Sequence, residues 1–291
     1  PPSNVGVINS RAVGCQPVHR RLWLADGRAV HYDRLSLNMG TRRLPFWAMR
    51  PCVGQPRTWS GHSVMQLIGL RATLVADERS SVVIVGGSRQ ALEIAGGLAA
   101  PAGSSGLDGI TLLWPNRGGD DRKTRAALRR LAWWGVDVVA TGGAAALGEG
   151  CLHCIDGRRF PADHVICAGP PEPDPVALAM TLPAYGPGLR VERRLTSPQA
   201  SSIQVSGAAA SLDGRHVLAG WDGERQACVM LAGLRADAGP HALQRYAPSR
   251  RGMPVDLGAQ AGVVSGMRWF GWRARRQCRL AQREWLADPD R

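Results

Sequence analysis

Residues 81–91 read Ser81-Val82-Val83-Ile84-Val85-Gly86-Gly87-Ser88-Arg89-Gln90-Ala91, and this stretch decides the fold class. It opens with a short apolar run rich in valine and isoleucine, which is typical of a strand buried on both faces of a parallel sheet. A glycine-rich turn follows, and the residues after the turn predict a helix to about Ala100. Strand, glycine-rich turn and helix in this order predict the first half of a βαβ unit.

The alternation of strand and helix continues downstream. A second apolar strand is predicted over residues 110–114, after a loop. A second helix then opens at Asp120-Asp121, where acidic side chains favour the positive end of the helix dipole, and runs to about Trp134. Residues 136–140 predict a third strand. We therefore expect an α/β protein with a doubly wound parallel sheet.

Two other segments share one pattern and flank this region. Residues 21–40 predict two strands joined by an Asp26-Gly27 turn and then a third strand ending in glycine. Residues 152–169 repeat the arrangement around Asp156-Gly157. The repeat predicts two structurally related units within the chain.

The composition is that of a globular protein. The chain has 291 residues, of which 44% are hydrophobic and 20% charged, so wholesale disorder is excluded. No apolar run approaches the roughly 18 residues that a membrane span requires. The seven cysteines are scattered and odd in number, which favours a reducing cytoplasm over a secreted disulfide framework.

The charge is strongly basic, with 36 Lys+Arg against 23 Asp+Glu and a formal net charge of +13. Lys123 is the single lysine, so the cations are almost all arginines scattered along the chain. Such a distribution indicates solubility and weak polyanion affinity, and not a specific nucleic-acid site. One interpretation of the function, polyanion binding through arginine, nevertheless stays open. It predicts that association depends steeply on salt concentration.

Five segments match motifs of one protein family. They are Tyr32–Gly40, residues 82–93, Asp163–Gly169, Ile203–Gly207 and Arg225-Gln226-Ala227. Over most of its length the chain resembles the FAD-dependent pyridine-nucleotide oxidoreductases, whose fold has two dinucleotide-binding, Rossmann-like domains. It looks most like the branch of type II NADH dehydrogenases and of NADH-dehydrogenase-like modules associated with selenide, water dikinase.

The resemblance implies a domain organisation. Residues 1–72 would form the first part of a partial FAD-type domain, 73–190 an NAD(P)-binding domain, and 191–236 the second part of the FAD-type domain. A basic C-terminal segment, 237–291, would follow. The family's first FAD-binding βαβ has no counterpart before residue 81, and chain order would place it ahead of Pro1.

The turn after the first strand is the candidate nucleotide site. It fits G-x-G-x-x-G/A with Gly86 and Gly87 in the turn, Ser88 in the second glycine position and Ala91 at the small-residue position. Ser88 crowds the approach of a pyrophosphate but offers a hydroxyl that could donate to it. The alternative is a Rossmann-like domain that has lost nucleotide affinity. Arg117 could bind the 2′-phosphate of NADP, but one arginine in an arginine-rich chain is a weak signal, so the choice between NAD and NADP stays open.

The resemblance also assigns residues to the flavin side. Gly40, Gly207 and Gln226 would lie near FAD, and Glu93 would act near the meeting point of flavin and nicotinamide. Gly169, at the end of the strand that returns from the NAD domain, would be a further cofactor-binding residue. A solvated glutamate near a positive helix terminus is the alternative for Glu93. Ala208 stands where the family has the aspartate that binds the ribityl region.

The implied function is hydride transfer from NADH or NADPH to FAD and on to a small acceptor such as a quinone. The alternative is a catalytically degenerate member of the family that acts as a nucleotide-binding or interaction module. Flavin content discriminates between the two.

A cysteine pair and a tail complete the candidate features. Cys151 and Cys154 lie three apart on a predicted strand and so point to opposite faces, which argues against a metal or redox site and favours structural cysteines. Residues 268–285 predict a basic helix with a stripe at Phe270, Ala274, Cys278, Ala281 and Trp285. Such a helix docks either on an anionic membrane surface or on the protein's own sheet.

Overall fold

A computed structural model describes most of the chain. The described residues are 5–40, 45, 48, 53–77, 79–99, 107–115, 122–169, 179–185, 188–216, 223–234, 245–247, 255–257, 261–264 and 267–270. The predicted helix start at Asp120-Asp121 and the candidate Arg117 lie outside these residues.

The secondary structure is mainly short strands with four helices in the described part of the chain. The helices are α1 (Val64–Ala76), α2 (Arg89–Ala99), α3 (Arg122–Trp133) and α4 (Gly223–Leu234). The strands are β1 (Ala12–Gln16), β2 (Arg21–Leu24), β3 (Ala29–His31), β4 (Leu35–Leu37), β5 (Arg57–Ser60), β6 (Ser80–Val85), β7 (Leu107–Pro115), β8 (Asp137–Thr141), β9 (Ala144–Gly148), β10 (Cys151–Cys154), β11 (Arg159–Pro161), β12 (His164–Cys167), β13 (Ala184–Tyr185), β14 (Gly188–Val191), β15 (Thr196–Ser197), β16 (Ala200–Val205), β17 (Ala210–Leu212), β18 (Arg215–His216), β19 (Val255–Asp256), β20 (Ala261–Val264) and β21 (Met267–Phe270).

The chain divides into two compact units. The first takes its described residues from 1–42 and 171–249, and the second takes its residues from 43–170 and 250–291. These divisions differ from the sequence boundaries at 72, 190 and 236, and strand pairing explains the first two differences. Strand β5 pairs with β12 and so belongs to the second unit, while β14 pairs with β17 and so belongs to the first.

The second unit is built on a parallel sheet of five strands in the order β5-β12-β6-β7-β8. The apolar run of β6 supplies Val82, Val83 and Ile84, which are at most 1% exposed. A strand with helices on both sides must be apolar on both faces, and this explains the run. The α/β fold class predicted from the sequence is confirmed.

The first unit is built around two parallel strands. Strand β4 pairs in parallel with β16, and β15 pairs with β16 on the other side in the antiparallel sense. The antiparallel sheet β1-β2-β3 and the mixed sheet β13-β14-β17-β18 complete the unit. Its hydrophobic core includes Leu37, Leu195, Ile203, Val205 and Met230.

The repeated hairpins form as predicted, and their turns are stabilised in the same way. In the first, the Asp26 carboxylate accepts from the Arg28 backbone N–H at 3.1 Å and from its guanidinium at 2.7 Å. In the second, Asp156 accepts from Arg158 at 3.2 and 2.7 Å. The guanidinium lowers the pKa of Asp26 far below its usual range and that of Asp156 to about 2.

The C-terminal tail differs from its prediction at the start. The expected helix over 268–285 is wrong over Arg268–Phe270, because these residues belong to β21 and pair antiparallel with β20. Aromatic side chains favour a pleated strand, and the pairing satisfies the backbone groups. Residues 271–285 lie outside the described residues. None of the helices in the described ranges has the length and apolar character needed to cross a membrane.

Candidate functional site

The candidate nucleotide turn leaves the carboxyl end of β6, at the edge where ligands bind in parallel α/β sheets. Gly86 has φ +152°, and a Cβ on it would overlap the Ala168 carbonyl oxygen. A Cβ on Gly87 would overlap the Pro115 ring at the end of β7. Both glycines are therefore required by the packing of the turn against the ends of the neighbouring strands.

Ser88 is the N-cap of α2. Its hydroxyl donates to the Ala168 carbonyl oxygen at 2.6 Å and accepts from the Ala91 backbone N–H at 3.2 Å. The single hydroxyl proton is therefore engaged by the protein, so a pyrophosphate would meet backbone N–H groups here and not the Ser88 donor. The sequence identified the residue but not its partner Ala168, which directly follows β12.

The first turn of α2 is a helix N-terminus at the predicted nucleotide turn. The N–H groups of Arg89 and Gln90 precede the first intrahelical hydrogen bond, and the helix dipole makes this end positive. Ala91 is fully buried, so its small side chain allows the close approach of helix and sheet that the motif requires. Nearer the C-terminal end of α2, Gly96 packs on Leu257: a Cβ added to Gly96 would lie 2.6 Å from the Leu257 Cα.

His62 lies at the same edge and was missed by the sequence analysis. Its Nε2 contacts the Gly169 carbonyl oxygen at 2.8 Å, just beyond β12. The next residue, Ser63, caps α1 by accepting from the Gln66 N–H at 3.4 Å. Two serine-capped helices thus start at the ends of β5 and β6, the strands that flank β12. The polar triplet Ser-Gly-His after a strand was the available signal.

Glu93, the tentative catalytic residue, is tied to other parts of the second unit. Its Oε1 accepts from the Asp256 N–H of β19 at 3.2 Å and lies 3.6 Å from the Arg89 guanidinium. The side chain is 24% exposed. These contacts join α2 to β19, which is a positioning role for the carboxylate.

Another histidine, His164, is buried and lies at the opposite, amino end of β12. His164 is 1% exposed, and its Nδ1 accepts from the Trp59 Nε1–H at 3.2 Å. Burial lowers the pKa of the imidazole. Because the amino and carboxyl ends of a strand lie at opposite edges of the sheet, His164 does not belong to the nucleotide turn.

The residues assigned to flavin, Gly40, Gly207 and Gln226, lie in the first unit, whereas Gly169 lies in the second. Gly207 has φ +66°, and its N–H donates to the Oε1 of buried Gln226 at 2.9 Å. Gln226 therefore binds the chain itself, at the start of α4. Ala208 follows with a methyl group where the family has a carboxylate. Gly40 has φ +69° just beyond β4.

The cysteine pair lies on β10 with alternating burial. Cys151 is half-buried and Cys154 is buried, and both carry free thiols. The Cys151 sulfur lies 3.3 Å from the His153 Nε2 on the same face of the strand. Burial raises the pKa of the Cys154 thiol, which keeps it protonated and unreactive.

Comparisons with known proteins give structural neighbours and no sequence relatives. No protein-family model and no curated protein matches the sequence. A chain of the covalent putidaredoxin reductase–putidaredoxin complex matches at 22% identity with a TM-score of 0.59, covering 78% of this chain and 57% of that one. A ferredoxin reductase from Rhodopseudomonas palustris matches at 20% identity and 0.61, with coverages of 88% and 64%.

A third neighbour spans more of the chain. The sulfide:quinone oxidoreductase from the hyperthermophilic bacterium Aquifex aeolicus matches at 15% identity and a TM-score of 0.68, covering 96% of this chain and 74% of that one. At these identities the likeness establishes the fold, which is that of two-domain reductases with Rossmann-like domains. The chain spans less than two thirds of the length of the first two neighbours.

Proposed function

We propose that this chain is an NAD(P)H-dependent oxidoreductase of the two-dinucleotide-domain fold, whose second unit binds the nicotinamide nucleotide. The observation that carries the proposal is the turn Gly86–Ser88, which ends a buried parallel strand and starts a capped helix at the carboxyl edge of the sheet. The structural neighbours support it, because they include two redox partner systems and a sulfide:quinone oxidoreductase.

The residues at this turn fit a dinucleotide. Glycines hold the backbone close to the sheet edge, and the N–H groups of Arg89 and Gln90 face the position where a pyrophosphate binds at a helix N-terminus. The protein binds and orients the nucleotide there, and Ser88 fixes the start of the helix. When bound, the nicotinamide would supply hydride as a two-electron donor. NAD and NADP remain equal candidates.

The first unit, by contrast, does not fit FAD in its described residues. The Gly207 N–H is engaged by Gln226, and the side chain of Ala208 is a methyl group, which cannot accept from a ribityl hydroxyl. We therefore derive no step through flavin from these residues. The finer proposal is the type II NADH dehydrogenase-like branch with a small acceptor such as a quinone, and flavin content is the measurement that decides whether FAD takes part.

A second candidate function follows from the same observation. If Ala208 and the Gly207–Gln226 contact replace a flavin contact by an internal one, the chain is a degenerate family member that acts as a nucleotide-binding or interaction module. Such a protein binds NAD(P)H without passing electrons to an acceptor. Flavin content and acceptor reduction separate the two functions.

The experiment that tests the nucleotide site is an isosteric charge change. Gln90→Glu adds one negative charge in the first turn of α2, which favours the helix dipole but repels a pyrophosphate. A charge at this range costs about 1–3 kcal/mol, or roughly ten- to a hundredfold in affinity. The matched control is Gln66→Glu in the first turn of α1, where the side-chain oxygen that accepts from Ser60 N–H is retained.

NADH and NADPH are titrated by fluorescence against the three proteins, with thermal melts to verify folding. Weaker binding by the Gln90 variant alone supports the site. Equal affinities in all three proteins would place the nucleotide elsewhere. If the wild type binds neither nucleotide, the oxidoreductase proposal fails.

A further inference from the structure

We propose that the first unit contains a binding site for a small phosphorylated polyol, in a cavity of about 440 Å³ lined by arginines and one buried glutamine. The volume lies within the range of small-molecule sites. The lining residues all belong to the first unit, whereas the nucleotide turn belongs to the second. The site is therefore independent of the proposed NAD(P)H function.

The rim of the cavity carries an excess of positive charge. Arg34, Arg193, Arg194 and Arg245 line it, and Glu192 is the one acid among the described lining residues. Scattered surface arginines are hydrated and screened by salt. Several guanidinium groups that converge on one concavity instead focus a positive potential, which favours a ligand with more than one negative charge.

A tight turn holds two of the arginines. The Leu195 N–H donates to the Glu192 carbonyl oxygen at 2.8 Å, and the Glu192 N–H donates to the Thr196 carbonyl oxygen at 2.9 Å. The Leu195 side chain is fully buried in the core. Arg193 and Arg194 are the two central residues of this anchored turn, so their backbone is fixed before any ligand binds.

A third arginine is held beside them by a backbone contact. The Tyr246 N–H donates to the Arg193 carbonyl oxygen at 2.5 Å. Tyr246 is 2% exposed and belongs to the hydrophobic core of the unit. The adjacent Arg245 is thereby positioned at the rim next to Arg193.

The floor of the cavity contains a buried amide without a protein partner. Gln204 lies on β16 between Ile203 and Val205, both of which are fully buried in the core. Gln204 itself is 4% exposed, and within the described ranges neither its Oε1 nor its Nε2 has a hydrogen-bond partner. Buried side-chain amides are normally paired, so this one indicates a ligand atom that both donates and accepts.

A glycine leaves space beside the amide. A Cβ on Gly233 of α4 would overlap the Gln204 Nε2, and Gly233 also lines the cavity. Any larger residue at this position would close the floor of the cavity against the amide.

The chemistry of the lining identifies the class of ligand. The guanidinium fork matches the oxygens of a phosphate group. A hydroxyl group both accepts from Nε2–H and donates to Oε1, which satisfies the Gln204 amide. A sugar phosphate combines the two groups at a distance that one cavity spans. Calorimetric titration at low salt with glucose 6-phosphate, and with inorganic phosphate as the comparison, tests the site.

Three variants carry the test. Arg194→Gln should weaken both probes about tenfold or more, since a charged hydrogen bond is lost. Gln204→Leu should lower the affinity for glucose 6-phosphate to that for inorganic phosphate and leave the affinity for inorganic phosphate unchanged. Arg21→Gln, which makes the same charge change on β2 outside the cavity, should alter neither affinity.

Two further proteins keep the result unambiguous. Gly233→Ala retains all the lining side chains but closes the floor, and should act as Gln204→Leu does. Gln90→Glu, at the proposed nucleotide turn, should leave the affinity for glucose 6-phosphate unchanged. The proposal is overturned if the wild type shows no binding of glucose 6-phosphate at millimolar concentration, or if Arg194→Gln and Arg21→Gln behave alike.

Discussion

Removal of the Ser88 hydroxyl tests what that side chain does at the nucleotide turn. Ser88→Ala deletes the hydrogen bond to the Ala168 carbonyl at 2.6 Å and the one from Ala91 N–H at 3.2 Å. Loss of an N-cap costs about 0.5–2 kcal/mol, and loss of the donor to a buried carbonyl adds about 1 kcal/mol. We expect the free energy of unfolding to fall by about 1–3 kcal/mol, which lowers Tm by several degrees.

The same change should have little effect on the nucleotide. Because the hydroxyl proton is engaged by Ala168, the NADH dissociation constant should change less than about threefold, well under the loss expected for a direct hydrogen bond. Ser88→Gly restores the second glycine of the motif and removes the Cβ that crowds the turn. This variant should bind NADH more tightly than Ser88→Ala does.

The assay combines thermal unfolding by circular dichroism with NADH fluorescence titration. The matched control is Ser63→Ala, which removes the cap of α1, where Ser63 Oγ accepts from Gln66 N–H at 3.4 Å. A tenfold loss of NADH affinity in Ser88→Ala but not in Ser63→Ala would refute the reasoning, because the hydroxyl would then contact the nucleotide. Unchanged stability of Ser88→Ala would refute the capping role.

Three other outcomes are expected. Burial lowers the pKa of His164 below its unfolded value, so the unfolded chain takes up the proton first and the free energy of unfolding falls as the pH drops from about 7 to about 5. In His164→Gln, denaturant titrations at several pH values should show a free energy of unfolding that changes less with pH. The same pH dependence in variant and wild type would exclude His164 as its source. Gly96→Ala should destabilise the chain by about 1–3 kcal/mol, because its Cβ would lie 2.6 Å from Leu257. Gly97→Ala should stabilise it by about 0.5–1 kcal/mol, because nothing lies within 4 Å of a Cβ there. Equal effects of the two variants in thermal melts would contradict the contact of Gly96 with Leu257. The chain should purify with well under one flavin per protein by absorbance near about 450 nm, a cofactor property, and stoichiometric flavin would show that the flavin residues are misassigned.

The local elements could be predicted because their signals lie within a few residues of each other. The apolar run of β6 and the glycines after it define a strand and a turn through backbone sterics alone. The Asp26-Gly27 and Asp156-Gly157 turns form where expected, since glycine accepts φ of +84° and +82° there. The contact of each Asp with the Arg two residues later is local to the turn and requires no tertiary information.

The predicted tail helix shows where such reasoning fails. The residues Arg268–Phe270 are compatible with the start of an amphipathic helix and also with a strand that contains aromatic residues. The pairing of these residues with β20, which lies on a neighbouring segment, decides for the strand. Tertiary pairing overrides a local periodicity because it satisfies every backbone group at once.

Patterns of hydrophobicity and the glycines in the sequence predict the α/β fold class, the order of strands and helices over residues 81–140, and the position of the glycine-rich turn after the first of these strands. Only the tertiary structure decided what the polar side chains at the sites do. Ser88 is engaged by Ala168, Gln226 by Gly207, and Gln204 by none of the described residues. A hydrogen bond is made with whichever group lies within about 3 Å, and Ser88 and Ala168 meet at such a distance although they are 80 residues apart in the chain.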